Sequence, residues 1–336
     1  MSKGRVKKFG KLGIGPMSSE IIEAAFRFSE KKNEPLMLIA SKNQIDWDGG
    51  YVNNWTTKKY AAFVKTLQKK YPNASILICR DHCGPGFKNE NIEDAYKTID
   101  TDLENGFDFI HVDFCHYKGS LEDKLKETKK AIKYIHKKRP DITIEVGTDE
   151  NVGSFLQDLK RIKQEMEYFI KDVEIDFYVC ETGSLTMEVN QRGSFNKKFL
   201  EKLSPIAKKY NVKLKEHNAD YLNSAEIKLR HGLIDAMNVA PQFGVIQTKL
   251  TILKCFTYGI KADDFMEKSY QSQKWKKWLD KNTPQNKFLC SLIAGHYNFA
   301  TSEYKKIYEA INKHENFKET IINEMMKNFS IYTNNL

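Results

Sequence analysis

Eight short apolar runs, each followed by a segment of helical periodicity, recur along this 336-residue chain. The runs are LGIGPM (12–17), LMLIAS (36–41), SILICRDH (75–82), FDFIHVDF (107–114), ITIEVGT (142–148), DFYVCETG (176–183), VKLKEHN (212–218) and AMNVAPQ (236–242). They are continuous rather than strictly alternating, the pattern of parallel strands covered on both faces. The segments at 18–33, 56–70, 92–105, 120–138, 152–170, 195–210, 223–234 and 244–260 read as amphipathic helices. In 120–138, Leu121, Leu125, Ile132 and Ile135 form one stripe behind an N-cap at Ser120, with Asp123 three residues on. In 56–70, Tyr60, Phe63, Val64 and Leu67 do the same, with Thr56 or Thr57 as the cap.

Eight βα units within roughly 260 residues match the count and size of a closed (β/α)8 barrel. The competing arrangement is a doubly wound open sheet. No GxGxxG follows the first strand, and the even spacing favours closure. Residues 261–336 lie outside the eightfold count and read as helical, with Trp275, Trp278, Phe288, Leu289, Leu292 and Ile293 as apolar anchors. No low-complexity linker precedes them. The expected architecture is therefore α/β: a (β/α)8 TIM barrel over 1–260 with a helical C-terminal extension, 261–336, packed on it as a cap or used in oligomerisation.

The formal net charge of +10 raises the question of nucleic acid. The lysines fall largely in pairs on expected helices (Lys31-Lys32, Lys69-Lys70, Lys129-Lys130, Lys137-Lys138) without interleaved aromatics. Solvated helix faces explain that pattern better than a binding stripe. A general positive field still favours phosphorylated substrates. Six cysteines without a CxxC pair read as buried thiols of a reducing compartment. No apolar run spans a membrane, and the basic N-terminus lacks the apolar core of a secretory signal, so a cytoplasmic location is expected.

Barrels of this kind do their chemistry at the C-terminal strand ends. Here those ends carry Ser41, Lys42, Asn43 and Gln44; Arg80, Asp81 and His82; Asp113; Thr148, Asp149 and Glu150; Glu181 and Thr182; Glu216, His217 and Asn218; and Asn238 and Gln242. Neutral imidazoles are common divalent-metal ligands, and open catalytic sites use about three protein ligands. His82 and His217 are the first two candidates, with Glu181 or Asp149 as the third. Asp81 and His82 are neighbours, so both reach the mouth only if Asp81 lies past the regular pleat. Asp81 is then a candidate proton carrier beside the metal. Ser41, Asn43, Gln44, Asp113, Asn238 and Gln242 are the candidates for contacting substrate. Glycine turns at Gly49-Gly50 and Gly183-Ser184, and the helix start near Gly244, are weak candidates for holding a phosphate. His111 reads as mid-strand background; His136, His231 and His314 fall on expected helices. His116 is a weak candidate. His296 reads as structural unless the tail folds over the mouth.

The stretches IASKNQIDWDGGY, ICRDHCGPGF, FDFIHVD, EVGTDE and KEHNADY, in that order, resemble the tagatose-bisphosphate aldolase accessory-subunit family, related to the class II zinc-dependent aldolases. The most specific elements are DHxGP at Asp81–Pro85 and EHxxDY at Glu216–Tyr221. The resemblance implies a TIM barrel in which Asp81 is the proton carrier and His82 and His217 are metal ligands. It also implies that Ser41 and the NVAP segment from Asn238 contact the ketose phosphate. The chain departs from the catalytic enzymes after the sixth strand, where Glu181 stands in place of a metal-binding His. A carboxylate also ligates Zn2+, and suits Mn2+ or Mg2+. The expectation is a carbon–carbon lyase of carbohydrate metabolism, acting on a phosphorylated sugar through a divalent metal, Zn2+ first. Two alternatives stand beside it: a ketose or uronate epimerase with the same metal chemistry, and an accessory subunit supporting a catalytic aldolase. The protein partner is then a second copy or that catalytic subunit, and neither nucleic acid nor membrane is expected. A Schiff-base mechanism would need a barrel lysine, for which Lys215 is the one tempting residue.

Overall fold

The computed structural model describes residues 8–148 and 158–336. Eight parallel strands close into a barrel: β1 (Leu12–Ile14), β2 (Leu36–Ser41), β3 (Ile76–Cys83), β4 (Phe109–Val112), β5 (Thr143–Gly147), β6 (Phe177–Val179), β9 (Lys213–Glu216) and β10 (Ala236–Val239). Pairing runs in chain order and ends with β1 beside β10. The helices that follow the strands are α1 (Ser19–Lys32), α2 (Thr57–Lys70), α3 (Ile92–Glu104), α4 (Leu121–Lys138), α5 (Leu159–Ile170), α6 (Lys197–Lys209), α7 (Ser224–Lys228) and α8 (Pro241–Tyr258). The two-residue strands β7 (Thr186–Met187) and β8 (Asn190–Gln191) form a small hairpin between β6 and α6.

The expected barrel is thus the observed one, with particular differences. The seventh helix shrinks from 223–234 to one turn and a half, because the chain turns at Leu229–Gly232. The β7–β8 hairpin was not anticipated; strands of two residues leave no periodicity to read. Ser120 caps α4 in a reciprocal box with Asp123, and Thr56 is the cap of α2. Leu121, placed on the buried stripe of α4, is instead 44% exposed, since it sits in the first turn before the helix reaches the barrel. None of the six cysteines is in a disulfide.

The pleat divides the strand residues into two cores. Leu36, Leu38, Ile78, Ile110, Ile144, Leu214 and Val239 point outward and pack under the helices. Met37, Ile39, Cys79, Phe109, Phe177 and Ala236 point inward and fill the lower barrel, with Phe9 edge-on to Phe177 at its base. The floor is therefore largely apolar, with the Lys213 ammonium over the Phe9 and Phe177 rings at its edge, and the polar cluster lies in the layers above it.

The extension supplies α9 (Asp263–Gln271), α10 (Lys287–Ala294), α11 (Ser302–Asn312) and α12 (Phe317–Thr333). It packs on the barrel. Phe329 of α12 meets Phe28 of α1 and Phe243 of α8 edge-on, and Glu319 takes a two-pronged ion pair from Arg27. A 3-10 turn, Gly295–Asn298, brings the His296 ring to 6.1 Å from Tyr51, in the loop after β2. His296 is buried; burial and the charge of Lys277 depress it to about 3, so it is a neutral packing group. Among the described residues no helix is long and apolar enough to cross a membrane.

Candidate metal centre

Above the apolar floor the inward positions turn polar. Continuing the pleat upward by twos leads from Phe109 to His111 and Asp113 on β4, from Thr143 to Glu145 on β5, and from Lys213 to Lys215 and His217 on β9. The Lys215 ammonium meets Glu145 Oε2 at 2.6 Å across the barrel interior, passing over β6, which lies between their strands.

On β3 the pleat is broken. The ladder to β4 pairs Arg80 with Ile110 and then Cys83 with Val112, so β3 advances one residue more than its neighbour. His82 takes up the extra residue at φ +46°. A bulge of this kind re-aims side chains, and here it turns Asp81 and His82 to the same side. The condition that adjacency imposed on the pair is met this way. Arg80 points outward and is locked by a buried two-pronged ion pair to Asp102 and by the carbonyls of Ala40 and Ile45.

Asp81, His82, His111 and His217 offer ligand atoms that all lie within 4.8 Å of one another. His82 Nε2 and His217 Nδ1 face each other at 3.4 Å. Their far nitrogens are held by carboxylates: His82 Nδ1 lies 2.8 Å from Asp113 Oδ2, and His217 Nε2 lies 2.9 Å from Glu145 Oε1. Thr148 donates to Asp113, and Asn238 Nδ2 approaches Asp81 Oδ1 at 3.4 Å. The Phe87 ring stacks on His82 with centroids 4.9 Å apart and covers it.

The electrostatics follow from this packing. Burial alone would raise Asp81, but the charges of His82 and His217 outweigh it and hold the carboxyl well below its usual range. The Asp113 and Glu145 carboxyls, also buried, are brought down to about 2, the first by its bond to His82 and the second by Lys215 and His217. Burial works against a charged His82, yet Asp81 and Asp113 push it up to about 9. Lys215 is raised despite its burial, mainly by Glu145. A Schiff-base lysine needs a neutral amine, and this one is held charged, which removes the support for that mechanism.

The donor set fits a divalent ion. Two donors 2.0–2.1 Å from a tetrahedral ion stand about 3.3–3.4 Å apart, the separation of the facing imidazole nitrogens. Each imidazole also has the carboxylate behind it that orients metal-binding histidines. The charges agree in sign: the carboxylates of Asp81, Asp113 and Glu145 face the Lys215 ammonium and the His82 imidazole, and an ion that displaces the His82 proton would meet all three carboxylates.

Of the residues read from the sequence, Asp81, His82, His217, Asp113 and Asn238 come together here. Asp113 serves His82 as its hydrogen-bond partner. Glu181 follows β6, half-buried, outside the four-residue group. Asp149 lies outside the described residues. Ser41 ends β2 in register with Asp81. Asn43 is exposed, while Gln44 is buried and folded back onto the Ser41 amide. Gln242 is committed elsewhere: its carbonyl oxygen accepts from the Tyr221 amide and the Tyr332 hydroxyl of α12, so it anchors the extension. His111 and Glu145 were missed. Both stand one pleat below a residue at the rim, and the period of two from Asp113 and Gly147 was the signal that marked them.

This is a class of barrel in which an acidic-histidine cluster sits at the strand mouths. The family model described as D-tagatose-1,6-bisphosphate aldolase subunit GatZ/KbaZ-like matches residues 3–133. That stretch carries Asp81, His82, His111 and Asp113, and stops short of Glu145, Lys215 and His217. Solved structures share the fold over nearly the whole chain. A probable tagatose 6 phosphate kinase from Sinorhizobium meliloti 1021 is 16% identical with TM-score 0.75, covering 97% of this chain and 92% of that one. The fructose-bisphosphate aldolase of Campylobacter jejuni is 14% identical with TM-score 0.64, covering 98% and 90%. The YdjI aldolase of Escherichia coli K12 is 13% identical with TM-score 0.53, covering 91% and 94%.

Proposed function

We propose that this protein is a metal-dependent, class II-type aldolase that cleaves or forms a carbon–carbon bond in a ketose phosphate of the dihydroxyacetone-phosphate type. The observation that carries the reading is the facing pair His82 Nε2 and His217 Nδ1, 3.4 Å apart, each backed by a carboxylate. These two imidazoles would hold a divalent ion, Zn2+ by the donor chemistry, with Asp81 at the same point. When bound, the ion supplies Lewis acidity toward the substrate carbonyl and its enediolate. Asp81, ionised at the mouth and steadied by Asn238, takes the hydroxyl proton whose loss breaks the bond. Asp113 and Glu145 hold the far ring nitrogens, so that the facing nitrogens would present lone pairs to the ion once the His82 proton is displaced. The apolar floor and Phe87 limit water around the reacting atoms.

The test is the metal content of protein purified without added metal, by elemental mass spectrometry, together with aldol cleavage of ketose phosphates. About one Zn or Mn per chain, lost in His82→Ala along with turnover, is the expected result. Wild type that neither carries nor takes up divalent ions sinks the reading.

One observation favours a second reading. The matching family is described as an aldolase subunit, so the chain could serve a catalytic partner instead of turning over by itself. Metal binding without cleavage activity, with activity gained by an added aldolase chain, would select that reading.

A further inference from the structure

His111 lies among the candidate ligands, yet both of its ring nitrogens are engaged within the protein. It is 1% exposed, on β4, one pleat below Asp113. Its Nε2 stands 2.8 Å from the carbonyl oxygen of Gly147 at the end of β5. A carbonyl only accepts, so Nε2 carries the proton and Nδ1 is the lone-pair nitrogen. The backbone N–H of His82 donates to that Nδ1 at 3.2 Å. This N–H belongs to the bulge residue, which the β3–β4 ladder skips. A buried backbone donor that loses its ladder partner needs another, and His111 is that partner. The nearest carboxylate oxygens, Asp81 Oδ1 at 3.7 Å and Glu145 Oε1 at 3.9 Å, lie beyond hydrogen-bond reach of Nδ1.

We infer that His111 is a positioning residue that pins the Asp81–His82 bulge to the end of β5, so that both side chains face the mouth, and that it is not itself a metal ligand. The inference rests on the metal-site reading above and makes it more specific: His82 and His217 are the imidazole ligands, Asp81 stands beside them as the proton carrier, and the group one layer below holds all three in place. The left-handed backbone at His82 is the conformation that needs such a support.

The experiment is 15N NMR of the full chain with histidine-selective labelling, without metal and with one equivalent of Zn2+. The expected His111 is the Nε2–H tautomer in both, its ring signals unmoved by zinc while those of His82 and His217 shift. A His111 Nδ1 that moves with zinc as the ligands do overturns the inference. If zinc moves no histidine, the metal-site reading falls, and the tautomer alone decides the positioning role, which an Nδ1–H form would refute. Zinc affinity gives the second readout. His111→Leu, which has no acceptor for the His82 amide, is expected to bind zinc about 10–100-fold more weakly. His111→Asn, whose Oδ1 replaces the Nδ1 acceptor, is expected to recover most of that loss. Equal affinities for wild type and His111→Leu would refute the role.

Discussion

His217 and Glu145 meet at 2.9 Å inside the barrel, and the other carboxylate oxygen of Glu145 takes the Lys215 ammonium at 2.6 Å. One carboxylate thus fixes the His217 tautomer from below while a buried cation fixes the carboxylate. The rim chemistry depends on a layer that never touches solvent.

The Glu145 carboxylate is open to a direct test. Glu145→Gln keeps the shape but removes the charge that orients His217, and an amide can hold the ring in the wrong tautomer. Zinc affinity is expected to fall by about 10–100-fold, the usual penalty for losing such a partner. A titration with a competing chelator measures it. Unchanged affinity would mean that His217 is oriented by something else.

Lys215 lends itself to a stability test. It is 1% exposed and is the only fixed cation facing Asp81, Asp113 and Glu145 among the described residues of the cluster. Lys215→Met leaves Glu145 short of its counter-ion, and removing one partner of a buried pair costs about 3–5 kcal/mol. Urea unfolding of the metal-free protein should show a loss of that size. The double variant Lys215→Met/Glu145→Gln should lose less than the two single changes together, because it removes the stranded charge. Additive losses would show that the pair is not coupled.

What the sequence disclosed and what it hid divide along the pleat. The apolar runs and their spacing announced the barrel, and the polar strand ends marked Asp81, His82 and His217, because rim residues interrupt an apolar run and stand out. His111 and Glu145 sit within such runs and looked like strand filler; only counting by twos from the rim places them in the site. The bulge that unites Asp81 with His82 is a matter of register between β3 and β4, which no single segment encodes. Gln242 misled for the opposite reason. It stands at a strand end, but the partner that claims it, Tyr332, lies 90 positions away on α12.

A pH experiment reads a group away from the metal centre. Asp220 is 2% exposed and accepts from the backbone N–H groups of Ala240 and Gln242. Burial raises it from 3.8 to about 7, against the pull of those two N–H groups. It is an acid whose folded pKa lies above its unfolded value, so the folded chain binds this proton more tightly. Its contribution to stability is therefore fully present below about pH 4 and is lost as pH rises to about 7, after which it is constant. Asp220→Asn keeps the accepting oxygen and removes the titration. Its stability relative to wild type should rise across that window, by roughly 4 kcal/mol at most. Parallel denaturant curves at pH 4.5, 6 and 8 decide it, and a constant difference would show that Asp220 stays ionised throughout.

A close backbone approach ties β3 to the site. Gly84 follows the bulge, and a Cβ added there would stand 1.6 Å from the backbone carbonyl oxygen of Asp113. No rotamer relieves a contact with backbone, so β3 and the segment after β4 must separate. The same segment carries the Asp113 carboxylate that bonds His82 Nδ1 at 2.8 Å. Gly84→Ala should therefore do two things together: lower the melting temperature, as overpacking by about 1–3 kcal/mol or more does, and weaken zinc binding by at least tenfold through the loss of the Asp113–His82 bond. Asp113→Asn, which loses the charge without the clash, should reproduce the second effect with little of the first. Zinc binding at wild-type strength in both variants would mean that His82 is held for the metal without Asp113, and that the tight approach at Gly84 serves packing alone.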